Sequence, residues 1–348
     1  MRTSYRNDCI FLLKEIDIKE ITIEEKEEMI SKGINYSEMI SKEEKPSTNI
    51  MDIFFNMLSE SKKEIAKFVS IISEKIYSEK KNDLVIVSLA RAGTPIGILI
   101  KKYLKQKYNV DIPHYSISII RGKGIDKNAL NHILKNYPQS NIQFVDGWTG
   151  KGSITKELQS SINEYNRENK RGIDYNLAVL IDPAKLCTIY GTRVDFGLAS
   201  SCLNSTVSGL VSRTIVNEKY IEEFDFHGGK YLEYLEDLDV SNYFIDEVRR
   251  EFENIKEEKL KFEPIEKEYA KNIALKIQKE FEVKDINKIK LSVGETARVL
   301  LRRNPRIILV RDIESKEIKH IVKLAEEKNV EIKEYDCGEY NCISIIKE

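Results

Sequence analysis

The sequence predicts an α/β protein with a mainly parallel sheet flanked by helices and a small C-terminal α/β unit. Three observations carry this expectation. From Leu84 onward, apolar runs of strand length alternate with stretches of helical spacing, a pattern that builds parallel sheets. Two of these runs end in glycine-bearing turns that open a helix, at residues 88–97 and 146–153. A charged stretch over residues 247–268 runs into Pro264, and a second, shorter α/β alternation follows it.

In chain order, residues 9–13 form a short strand and residues 23–31 a charged helix. Residues 50–78 place Ile53, Met57, Ile65, Phe68, Val69, Ile72 and Ile76 close to helical spacing, which predicts an amphipathic helix. Strands are expected at 84–89, 115–120, 142–145 and 177–181, with helices between them and ligands at the carboxyl ends of the strands. The C-terminal unit reads as helices at 266–281, 293–303 and 315–328 and strands at 306–311, 331–335 and 342–346. The expected units are therefore residues 1–263 and 264–348.

Composition bounds the function. The 348 residues carry a formal net charge of −1, so no global field draws the protein to nucleic acid or membrane. No segment approaches the roughly 20 apolar residues needed to cross a bilayer, and the N-terminus lacks an apolar stretch of signal-peptide length. A cytoplasmic protein with no membrane partner is expected. Cys9, Cys187, Cys202, Cys337 and Cys342 are odd in number and scattered, which fits reduced thiols rather than a disulfide framework.

The turn at 146–153 reads as an anion cradle. Gly150 and Gly152 let the backbone turn its N–H groups inward, Thr149 and Ser153 add hydroxyls, Lys151 adds a charge, and the following helix contributes its positive end. Asp146, at the end of the strand, is placed to accept ribose hydroxyls or hold a divalent cation. A Walker A loop does not fit, because it would need glycine at Val145 and Ser or Thr at Gly152. The upstream turn, with Arg91, Ala92, Gly93 and Thr94, is a second cradle, and two cradles suggest a ligand with two phosphate groups.

These motifs, with the segments at 33–46, 114–126 and 203–214, resemble the type I phosphoribosyltransferases, and more narrowly the phosphoribosyltransferase-like family of tellurite-resistance and stress-response gene clusters. Some members of that family are named cysteine protease StiP. The resemblance implies a transferase that binds phosphoribosyl pyrophosphate, or a related phosphosugar or nucleotide, with Mg2+ bridging the pyrophosphate. It assigns Asp146, Arg91 and Arg121 to catalysis. Thr149, Gly150, Lys151, Gly152 and Ser153 would hold the 5′-phosphate, and Arg91, Ala92, Gly93 and Thr94 the pyrophosphate. Gly122, Lys123, Ser205, Thr206, Ser208 and Arg213 would serve as a lid or face the acceptor. Asp146 stands alone where the general pattern has two adjacent acids.

At the C-terminus, Gly294, Glu295, Arg298 and Arg302 resemble the helix start of the Pelota/L7Ae RNA-binding fold, which implies contact with structured RNA. A homodimer is among the expected assemblies. Two other readings stand beside the transferase: a cysteine peptidase, which needs a thiolate beside a histidine, and a non-catalytic sensor of a phosphoribosyl ligand coupled to RNA.

Overall fold

The computed structural model describes residues 1–348 except 23, 24, 27, 30, 31, 82, 139, 140, 257–260 and 348. The charged helix expected at 23–31 and part of the charged stretch before Pro264 therefore lie outside the described residues.

Six strands form the large sheet: β1 (Ile10–Leu12), β2 (Leu84–Leu89), β3 (His114–Ile117), β4 (Asn141–Trp148), β5 (Leu177–Ile181) and β6 (Ile189–Thr192). Their order is β1-β3-β2-β4-β5-β6, and every neighbouring pair is parallel. Both faces are covered, so the central strands are apolar on both sides, as parallel strands between helical layers must be. Ile86, Ile96, Ala178 and Leu180 belong to one core. Its helices are α1 (Thr48–Lys80), capped by Ser47 accepting the Ile50 N–H, and α2 (Gly93–Tyr108). Val85, Val87, Phe144 and Val179 turn to the opposite core, against α3 (Lys127–Asn136) and α4 (Ser153–Asn169).

A further helix, α5 (Ser241–Arg250), returns to the α1–α2 side, placing Phe244, Ile245 and Val248 in that core. The strand expected at 115–120 is broken: after β3 the chain makes a small antiparallel hairpin, Ile119–Ile120 with Gly124–Ile125. Gly122 and Gly124, with φ of +77° and +84°, permit that reversal.

The C-terminal unit consists of α6 (Tyr269–Glu280), β7 (Ile289–Leu291), α7 (Val293–Arg302), β8 (Pro305–Val310), α8 (Lys319–Glu327), β9 (Ile332–Glu334) and β10 (Cys342–Ile346). Its four-stranded sheet has the order β7-β10-β8-β9, antiparallel except for the β8–β9 pair. No helix among the described residues is long and apolar enough to cross a membrane.

Candidate functional site

A cleft of about 550 Å³ opens at the carboxyl ends of β2, β3 and β4. Its floor is the large sheet, and its far wall is α7 of the C-terminal unit. Trp148, at the end of β4, joins the two. The Arg298 guanidinium lies 4.3 Å from its ring centroid. Gly294 packs so closely that a Cβ there would sit 2.8 Å from the indole.

The cleft is rich in cations, with Arg91, Arg121, Lys290, Arg298, Arg302 and Arg303 among its lining residues. Arg91 pairs with Glu43 at 2.6 Å and donates to the Val211 carbonyl at 2.7 Å. Burial alone would raise the Glu43 carboxyl, but Arg91, Arg302 and the Ser205 hydrogen bonds outweigh it and hold the group below its usual range. The Asp146 carboxyl is pushed up to about 6 by burial, against the pull of the Gly147 N–H and Arg298. Burial, with Arg298 and Arg91 nearby, lowers Arg302 to about 9. The Nε atoms of Arg298 and Arg302 are buried without a hydrogen-bond partner.

Of the residues singled out from the sequence, the structure brings Arg91, Ala92, Arg121, Asp146, Thr206, Arg213, Glu295, Arg298 and Arg302 to this one cleft. It places the others elsewhere. Thr149 is buried and donates to Asp182 Oδ1 at 2.7 Å. The Gly150 carbonyl accepts from Tyr340, and Lys151 donates to the Ile286 carbonyl at 2.5 Å, so the C-terminal unit covers this turn. Gly152, at φ +81°, packs on Leu186, and Ser153 begins α4.

Gly93 and Thr94 are buried in the first turn of α2, with Thr94 Oγ1 2.8 Å from Ser116 Oγ. Gly122 and Lys123 lie on the exposed hairpin. Ser205 donates to Glu43 at 2.7 Å, and Ser208 lines a small pocket behind Arg91 and Trp148. Gly294, expected at an RNA surface, is beneath Trp148 instead. Among the described residues no group of three or more His, Cys, Asp or Glu side chains is arranged to hold a metal ion.

The five cysteines are all free and buried. Cys202 is the cysteine in the cleft wall, at the end of a short 3-10 helix, Ala199–Cys202, with Sγ 3.3 Å from Met57 Sδ. Burial pushes its thiol up to about 12. Away from the cleft, Cys9 Sγ lies 3.8 Å from His114 Nε2, and His114 Nδ1 is 3.2 Å from the Asp8 carbonyl. Burial raises that thiol well above its usual value and lowers the imidazole to about 3, so the pair is neutral at rest. The sequence offers Cys202, with Cys187, as the cysteines of the half expected to carry catalysis, but no local motif marks Cys202 as a nucleophile or signals the Cys9–His114 pair.

Fold and site together define a two-part α/β protein whose parallel sheet presents a cationic cleft to a C-terminal unit. Residues 3–249 match the family described as tellurite-like stress resistance cysteine protease StiP, and residues 269–348 match the PELOTA RNA binding domain. Over 370 aligned residues the chain is 31% identical to the cysteine protease StiP of Acinetobacter baylyi, covering 99% of this chain and 94% of that relative. The chain belongs to the StiP family. This corrects the activity expected from the phosphate-loop resemblance: family and relative are both named as cysteine proteases, and neither as a phosphoribosyltransferase. In the turn at 149–153, Tyr340 donates to the Gly150 carbonyl and Lys151 donates to that of Ile286, both in the C-terminal unit.

Proposed function

We propose that this chain is a thiol peptidase of the stress-resistance family, that an acidic polypeptide occupies the cationic cleft, and that Cys202 is the nucleophile. The observation that carries the assignment is the position of Cys202 in the wall of a cleft that also holds Arg91, Arg298 and Arg302. A thiolate is stabilised by nearby guanidinium groups. Turning the sulfur from its hydrogen bond to Met57 Sδ toward the cleft would exchange the burial that keeps it protonated for a cationic field that favours its charge. The family name and the full-length relative support the chemistry.

A second reading rests on the Cys9–His114 contact at 3.8 Å, a nucleophile and base within reach with a carbonyl orienting the ring. The two are separated by measuring cleavage of a quenched acidic peptide library by wild type, Cys202→Ala and Cys9→Ala, with iodoacetamide adducts mapped by mass spectrometry. Loss of cleavage in Cys202→Ala alone is expected. Loss in Cys9→Ala alone transfers the role to Cys9, and retention in both variants overturns the thiol reading.

For the C-terminal unit we propose RNA as partner, on the match to the Pelota domain. Because Arg298 and Arg302 face the cleft, phosphates would meet them there, beside exposed Arg303.

A further inference from the structure

A chain of three hydrogen-bonded side chains leads from the cleft to a half-buried imidazole. Thr214 lines the cleft. Ser118, fully buried just beyond β3, donates its hydroxyl proton to Thr214 Oγ1 at 2.7 Å. A serine hydroxyl has one proton to give. The contact between Ser118 Oγ and His227 Nδ1 at 2.9 Å is therefore made by Nδ1–H donating to Ser118. All the protons in the chain point toward the cleft, and the Thr214 hydroxyl proton is left to face whatever binds there.

His227 is held in place by Asp126, the N-cap of α3. Asp126 Oδ1 accepts from Ala129 N at 2.9 Å and Oδ2 from His227 N at 2.6 Å. The charged group acting on the ring is Asp126, whose charge favours the protonated form; Lys14, paired with Asp225 at 2.6 Å, meets His227 through its backbone N–H, which donates to the His227 carbonyl at 3.0 Å.

We propose that His227, Ser118 and Thr214 form a proton relay that protonates the leaving amine when an amide is cleaved in the cleft. The idea rests on the peptidase reading. In the step, the C–N bond of the tetrahedral adduct breaks and the electron pair stays on nitrogen. The nitrogen takes the Thr214 proton, Thr214 takes that of Ser118, and Ser118 takes Nδ1–H from a His227 that has been protonated at Nε2 from solvent. His227 ends neutral with its proton on Nε2. Thr214 is the group that touches substrate, while Ser118 and His227 act through it. Burial lowers the His227 imidazole, which makes its protonated form a stronger acid.

Two measurements test the relay. Nitrogen-15 NMR of the full chain should show neutral His227 as the Nδ1–H tautomer, shifting toward Nε2–H in Ser118→Ala. An Nε2–H tautomer in the wild type reverses the direction of the chain and overturns the proposal. The second compares a p-nitroanilide and a p-nitrophenyl ester of one acidic peptide, because only the anilide needs its leaving group protonated.

His227→Gln and Thr214→Val should slow anilide cleavage by about 10²-fold, the usual scale of proton-transfer catalysis. Ester cleavage should fall far less than anilide cleavage in both variants, and Thr214→Ser should restore the anilide rate. The wild-type anilide rate should fall as pH rises through the His227 titration, and that limb should vanish in His227→Gln. Equal losses on ester and anilide, or an unchanged pH profile, would show a merely structural role and overturn the relay. A wild type that cleaves neither probe removes the peptidase reading, an outcome the tautomer measurement distinguishes from a wrongly assigned relay.

Discussion

Asp195 clasps the C-terminal unit to the large sheet, and replacing it with Asn should change how stability depends on pH. Its carboxylate is 1% exposed and accepts the Val293 N–H at 3.0 Å and the Asn341 N–H at 2.9 Å, while Asn341 Nδ2 donates back to the Asp195 carbonyl at 2.6 Å. Burial raises the carboxyl from 3.8 to about 7, with the backbone donors and Arg311 pulling the other way. Between those values the folded protein holds a proton that the unfolded chain has released, so stability falls as pH rises and the loss is complete above about pH 7.

At 1.36 kcal/mol per unit, the cost accumulated between pH 5 and pH 8 is about 3 kcal/mol. Asp195→Asn does not titrate. It carries instead a roughly constant penalty of about 1–3 kcal/mol, because its NH2 must face a backbone N–H. The variant should therefore gain on the wild type by about 3 kcal/mol across this pH range. Urea unfolding followed through Trp148, the sole tryptophan and itself at the junction, reads the difference. Parallel pH profiles for the two proteins would refute the reasoning.

Three further outcomes are expected. Gly294→Ala forces a methyl within 2.8 Å of Trp148 and should cost about 1–3 kcal/mol with a changed tryptophan emission, whereas unchanged emission and stability would show that the junction yields freely. Asp146, with its carboxyl near 6, gains charge as pH rises from 5 to 7, so calorimetry should find an acidic peptide bound more weakly at pH 7, and Asp146→Asn should remove that trend. Anisotropy titrations of full-length protein with RNA hairpins should show affinity falling with salt. The slope should flatten by about two units in an Arg298→Ala, Arg302→Ala double variant; an unchanged slope would place RNA outside the cleft.

Much of the architecture was legible because local rules sufficed. Leu84–Leu89 and Leu177–Ile181 are apolar on both faces, as buried parallel strands are, and their predicted bounds coincide with the observed ones. The helix expected at 293–303 is found at Val293–Arg302, with Ser292 capping it by accepting the Glu295 N–H. Among the strands of the two main sheets, two escaped. Ile289–Leu291 alternates around one lysine over three residues, and Ile189–Thr192 contains a glycine, so neither carries enough pattern to separate from loop. Ile119 and Ile120 are as apolar as what precedes them, so their pattern alone does not separate the hairpin from β3.

The sequence by itself determined most of the element order, the parallel sheet, the C-terminal unit and the presence of Arg91, Asp146, Arg298 and Arg302 at turns or on a helix that could meet a ligand. It could not determine what occupies each turn, because a glycine-rich loop has the same local chemistry whether it cradles a phosphate or another part of the chain. Only the tertiary structure decided that Tyr340 donates to the Gly150 carbonyl and Lys151 to that of Ile286, that Arg298 lies over Trp148 with Arg302 in the same cleft, and that residues as distant as Ser118, Thr214 and His227 share a hydrogen-bond chain. Those contacts join residues far apart in sequence, and no local periodicity encodes a long-range pairing.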